Sequence, residues 1–115
     1  MRRCFFATWT GWRCPEVTWK GSRQYCIFHD QSPEKDTELF ERKIREKFEE
    51  KNYVFVGYHF PKDIDFRGWK FEKAVSFWRA TFLGNANFSK AIFQQDAYFQ
   101  EAIFRRNAYF EGVSF

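Results

Sequence analysis

Over residues 66 to 115, phenylalanine recurs at Phe66, Phe71, Phe77, Phe82, Phe88, Phe93, Phe99, Phe104, Phe110 and Phe115, in steps that alternate five and six. The repeating unit is therefore a pair, and a small residue stands two places before most of these rings, as in Ala80-Thr81-Phe82, Ala91-Ile92-Phe93 and Ala102-Ile103-Phe104. An α-helix has no use for this rhythm: at about 100° per residue it would scatter successive Phe around the axis and send each Ala to the far side of its Phe. In a strand, residues two apart share a face, so Ala and Phe both point inward and the residue between them points to solvent. The polar segments left over, Ser89-Lys90, Gln94-Gln95-Asp96, Gln100-Glu101 and Arg105-Arg106-Asn107, are corners.

Strands of about three residues are too short for hairpin arms. They can stack as coils, each strand lying on its counterpart one coil below, with the Phe rings piled in internal columns. Each ring supplies about 2–3 kcal/mol when fully buried, which offsets the ordering cost of a chain with few other core residues. Residues from about 60 to 115 resemble the pentapeptide-repeat proteins, in the Phe-centred form that alternates five- and six-residue units. The resemblance implies a mainly β fold, a right-handed quadrilateral β-helix (β-solenoid) with one repeat per side. Two eleven-residue pairs then make one coil, stacking Phe66, Phe88 and Phe110 on one side, Phe71, Phe93 and Phe115 on the next, and Phe77 with Phe99 and Phe82 with Phe104 on the others. The sequence departs from the usual motif in preferring Phe to Leu and in its extra corner residue.

The organisation read from the sequence is a Cys/His-containing module over residues 1–31, a capping helix over 32–52 and the solenoid over 53–115. Cys4, Cys14 and Cys26 all lie in the module, and His29 follows in Cys26-Ile27-Phe28-His29. Three thiolates and an imidazole are a complete tetrahedral set for Zn²⁺, and thirty residues of Trp, Gly and polar groups need such a staple to stay folded. The predicted site is one structural zinc on Cys4, Cys14, Cys26 and His29. Buried free thiols, or a Cys4–Cys14 disulfide with Cys26 left over, are the competing readings. His59 is a substitute ligand by type, although its position places it at the solenoid's cap. A Cys26–His29 catalytic dyad lacks both an orienting third group and an oxyanion pocket, so the chain reads as a non-enzyme.

For the helix, Ser32 is the predicted N-cap with Pro33 at the first position, and the helix runs to about Lys51. Leu39, Phe40, Ile44 and Phe48 form its apolar face, while Glu38–Arg42 and Glu41–Arg45 are spaced for exposed pairs. An open solenoid end exposes strand edges and Phe faces, and this helix, with Tyr53-Val54-Phe55-Val56 as a first strand, is the predicted cover.

Charge narrows the function. The formal net charge is +4. Residues 1–31 carry five basic and two acidic groups, whereas residues 60–115 carry eight and six. Some pentapeptide-repeat proteins imitate duplex DNA towards type II topoisomerases, which needs an acidic surface that these repeats lack. The balanced helix disfavours a membrane surface, no stretch is long enough to span a bilayer, and the absence of a signal-peptide core makes the cytoplasm the default location. The leading expectation is a non-catalytic scaffold for a protein partner, engaged through outward residues such as Ile92, Tyr98, Ile103 and Tyr109. The alternative is a nucleic-acid-binding protein acting through its N-terminal module, where Trp9, Trp12, Trp19 and Tyr25 interleave with Arg2, Arg3, Arg13, Lys20 and Arg23; the simpler reading makes those Trp rings the module's core. The chain stops at Phe115 on a repeat position, so either it is a piece of a longer protein or its last coil pairs with another copy as a homodimer.

Overall fold

The computed structural model describes residues 2–115. Its C-terminal half is a stack of parallel two-residue strands: β1 (His59–Phe60), β2 (Ile64–Asp65), β3 (Lys70–Phe71), β4 (Val75–Ser76), β5 (Thr81–Phe82), β6 (Ala86–Asn87), β7 (Ile92–Phe93), β8 (Ala97–Tyr98), β9 (Ile103–Phe104) and β10 (Ala108–Tyr109). They form four sheets, β1-β5-β9, β2-β6-β10, β3-β7 and β4-β8. In every pairing the partners are 22 residues apart, as in His59 with Thr81 and Lys70 with Ile92. Single bridges from Val54 to Ser76 and from Ile92 to Ser114 add a further level to the two shorter sheets.

The inward columns follow the repeat. Phe66 stacks on Phe88 at 5.0 Å between ring centroids and Phe88 on Phe110 at 5.1 Å. Phe71 stacks on Phe93 at 5.0 Å and Phe93 on Phe115 at 5.3 Å. Phe77–Phe99 and Phe82–Phe104 stand at 5.1 and 4.8 Å. These spacings match the distance of about 4.8 Å between hydrogen-bonded strands, so backbone ladder and ring column share one repeat. The columns begin one level earlier than the Phe66 start read from the sequence, because Phe55 stacks on Phe77 and Phe60 on Phe82.

The two corner types differ in backbone. Each two-residue corner closes with a hydrogen bond from the third residue after a Phe back to that Phe carbonyl, as in Trp69 N–H to Phe66 and Ala91 N–H to Phe88. Its second residue has positive φ: Gly57, Gly68, Arg79, Lys90, Glu101 and Gly112, eleven apart throughout. Positive φ at the third position of such a turn is a glycine preference, met here at three of six corners. Because Gly57 already closes a corner, Tyr53–Val56 is not the continuous first strand the sequence implied; only Val54 bridges, and Phe55 opens the repeat.

The helix α1 (Thr37–Glu49) starts five residues after the predicted Ser32 cap. Asp36 is the N-cap, its carboxylate accepting from Leu39 N–H at 3.0 Å. Ser32 instead opens a separate turn, accepting from Glu34 N–H on its hydroxyl and from Lys35 N–H on its carbonyl. That turn aims the Lys35 side chain inward, which a continuous helix from Pro33 would not do. The C-terminus closes on Lys51 with φ 59°, Lys51 N–H donating to Phe48 and Asn52 N–H to Lys47, a left-handed stop that ends α1 before Lys51. The surface pairs also differ from those expected: Glu46 meets Arg42 and Lys43. The apolar face packs on the solenoid's first coil, Phe40 edge-on to Phe60 at 5.3 Å and Phe48 against Trp69 at 4.3 Å. No helix among the described residues is long and apolar enough to cross a membrane.

Candidate metal centre

Residues 2–18 fold as an antiparallel hairpin, bridged at Arg3–Val17 and Ala7–Arg13. Gly11, at φ 97°, permits the tight reversal. Strand periodicity sends Cys4 and Cys14 to the same face of the hairpin, and both are buried. Cys26 and His29 lie on the next turn, where His29 N–H and Asp30 N–H both donate to the Cys26 carbonyl. Hairpin and turn thereby bring all four predicted residues together, and their ligand atoms lie within 4.8 Å of one another. His59 stands elsewhere, in β1, its N–H donating to the Phe28 carbonyl.

The dimensions can be tested against a tetrahedral ion. Bonds of about 2.3 Å to sulfur and 2.0–2.1 Å to nitrogen set edges of about 3.8 Å between sulfurs and 3.5 Å between sulfur and nitrogen. The Cys14–Cys26 sulfurs are 3.8 Å apart, and His29 Nδ1 lies 3.6 Å from Cys4 Sγ and 3.2 Å from Cys26 Sγ. These three of the six separations fit within a few tenths of an ångström, and all six fall within 4.8 Å. No sulfur pair is bonded, so Cys4, Cys14 and Cys26 are free thiols and the Cys4–Cys14 disulfide reading does not hold.

The surroundings orient these groups. His29 Nε2 lies 2.7 Å from the Val56 carbonyl, an acceptor only, so Nε2–H donates there and Nδ1 is the nitrogen that faces the sulfurs. A second nitrogen held by a carbonyl is the usual support of a metal-ligating histidine. Phe6 stacks on the imidazole at 4.0 Å, and its far side lies over Gly57, where any Cβ would collide with the ring. Glu16 N–H points at Cys14 Sγ from 3.4 Å, a donor suited to a thiolate.

Three thiols so close cannot all ionise unaided. Hydrogen bonds from Cys14 and then Cys26 hold the Cys4 thiol far below its ordinary range, while Cys26 is pushed far above its own by Cys14, Cys4 and burial. A divalent cation removes that conflict by taking all three as thiolates. The result would carry one net negative charge, and two buried lysine side chains flank it. Lys35 Nζ donates to the Ile27 carbonyl at 2.7 Å and the Phe28 carbonyl at 3.3 Å, on the turn between Cys26 and His29. Lys47 lies 5.4 Å from the Tyr58 ring centre, 5.7 Å from Phe28 and 5.9 Å from Phe55, and lines with Cys14 a cavity of about 130 Å³. Neither forms an ion pair among the described residues. Burial lowers the pKa of both.

Sequence reasoning found the four ligand candidates but not Phe6, Lys35, Lys47 or the Val56 carbonyl. It also placed the Trp rings in the core: half-buried Trp12 and Trp19 do pack against it, whereas Trp9 is 81% exposed. Trp19 is held at the module's edge, its indole N–H donating to Asp30 at 2.8 Å.

A family model described as pentapeptide repeats, in nine copies, matches residues 55–103 and 77–115, together more than half of the chain. It begins at Phe55, where the ring columns begin. No curated protein and no solved structure matches the chain significantly.

Proposed function

Since the chain belongs to the pentapeptide-repeat family, we propose that it is a non-catalytic scaffold whose solenoid sides bind a protein partner, while a structural zinc on Cys4, Cys14, Cys26 and His29 holds the cap. The observation that carries the reading is the division of labour in the repeats. Inward positions are filled by stacked Phe, and outward positions display Ile92, Tyr98, Ile103 and Tyr109, each about two-fifths or more exposed. A solid, repetitive core leaves recognition to the outer sides, and Tyr is a residue that interfaces favour. Zinc is supported by the donor set: three sulfurs and a nitrogen within 4.8 Å of one another suit Zn²⁺ better than oxygen-seeking cations. Reduced thiols fit a cytoplasmic setting.

The reading extends to assembly. In the last coil Phe110 is 40% and Phe115 82% exposed, and β9 and β10 are end strands of their sheets. A two-fold contact between two such coils would cover both. Native mass spectrometry of protein made without added metal tests zinc and assembly together: one zinc per chain on a dimer is expected, and a metal-free monomer would overturn both. For the partner surface, crosslinking should recover a protein that the folded variant Tyr98→Ser/Ile103→Ser loses. Identical captures by both proteins would remove the outer sides from recognition.

A further inference from the structure

The hairpin that supplies Cys4 and Cys14 has a second face. Cys4, Thr8, Cys14 and Thr18 are buried, whereas Arg3, Phe5, Trp9, Arg13, Pro15 and Val17 are all exposed. With the inner face committed to the sulfur cluster, period-2 alternation forces the outer residues into solvent. Phe5 is 56% and Trp9 81% exposed, and the register sets Phe5 opposite Pro15. Fold stability gains little from rings so placed.

The charge around them has one sign. Arg2, Arg3, Arg13, Lys20 and Arg23 are all exposed. The two acids of the first 31 residues, Glu16 and Asp30, are half-buried, and Asp30 is already engaged by the Trp19 indole and by Ser32 N–H. Arg3 Nε donates to the Cys14 carbonyl at 3.0 Å, which lays its guanidinium across the hairpin. Phe5 N–H donates to the Gln24 carbonyl at 2.7 Å, which brings the Arg23–Gln24 segment alongside. Across the hairpin Arg3 pairs with Val17 and Arg13 with Ala7, so the cations of this face stand among its apolar residues and do not form a charged border around an apolar stripe, as a lipid surface would select. An acidic peptide would answer the arginines but leave Trp9 and Phe5 without a role. Unpaired bases and phosphates answer both, because any base offers a π-face to stack and each phosphate a negative charge. Duplex bases are already stacked on one another.

We propose that this outer face binds single-stranded nucleic acid, Trp9 and Phe5 stacking on bases while Arg3, Arg13 and Arg23 contact phosphates. The site is independent of whatever the solenoid sides bind and needs only the folded module. The test is fluorescence anisotropy of a labelled oligothymidylate with the metal-loaded full chain across a salt series. Saturable binding is expected, with a log K against log salt slope of about −2 for three phosphate contacts. Trp9→Ala should weaken it about tenfold. Arg13→Gln/Arg23→Gln should cut the slope by more than half, and both variants must keep the wild-type metal content. No saturable binding at low salt would overturn the proposal. So would unchanged affinity in Trp9→Ala, or tighter binding to phosphatidylserine vesicles or poly-glutamate than to the oligonucleotide.

Discussion

At the scale of single residues, the centre rests on groups of two kinds. The first is the donor set, and Cys26→Ser should abolish stoichiometric metal binding, read as loss of zinc in the native mass spectrum; full retention would exclude Cys26 from the site. The second kind is Lys35. Burial lowers its ammonium to about 7 from an ordinary 10.5, against the opposing pull of Asp30 and Cys26. Between those values the unfolded chain holds a proton that the folded chain has released, so the stability contributed through Lys35 is least below pH 7 and rises up to about pH 10.5. Lys35→Met should remove that rise, visible as a narrowing difference between variant and wild-type urea-unfolding curves towards low pH; a difference constant with pH would refute it. The donor set was legible in the sequence because cysteine and histidine declare their chemistry by type. Lys35 was not, since a lysine reads as a solvated charge until the fold brings two carbonyls to it.

Among the elements, the strands were legible and their corners only in part. Alternating spacing identified inward Ala and Phe without reference to any partner strand, but it gave no reason to place positive φ at Arg79, Lys90 and Glu101, residues that ordinarily avoid it. At the first two the following coil holds the backbone: Arg79 N–H donates to the Gln100 carbonyl and Lys90 N–H to that of Glu111. Gly68, at φ 74° with nothing within 4 Å of where a Cβ would sit, isolates the backbone cost. Gly68→Ala should destabilise by about 1 kcal/mol in equilibrium unfolding, since only left-handed strain is added; an unchanged midpoint would mean that the corner relaxes. The helix start was misplaced for a related reason. Ser32-Pro33 carries every local signal of a helix entry, yet tertiary demand on Lys35 holds that turn apart and leaves the capping to Asp36. Asp36→Ala should therefore cost about 1 kcal/mol, whereas Ser32→Ala should cost less.

Across the whole molecule, protection is graded. Phe55 to Phe88 in the columns are fully buried, Phe99 and Phe104 are partly buried, and Phe110 and Phe115 are exposed. The capped end is thus the anchored end. Phe88→Ala should cost about 3–5 kcal/mol and Phe110→Ala much less, measured in dilute protein. Hydrogen exchange should run fastest in β10 and slowest in β1 and β5; uniform protection at low concentration would contradict the gradient, and protection of β10 appearing only at high concentration would register the two-fold contact. This gradient was not readable from a repeat, which by its nature makes every coil alike. It comes from the helix packed on the first coil.

The eleven-residue spacing of the left-handed corners has a further consequence for how such a chain can change length. Since partners pair 22 residues apart, gain or loss of a full coil leaves every ladder, ring column and corner in phase. A change of eleven keeps each corner's chemistry but advances the chain by half a circuit, carrying the terminal face to the opposite side. A change of five or six breaks the alternation itself. The solenoid is in effect quantised: its length moves in whole turns, its orientation in half turns, and intermediate steps are forbidden by the backbone.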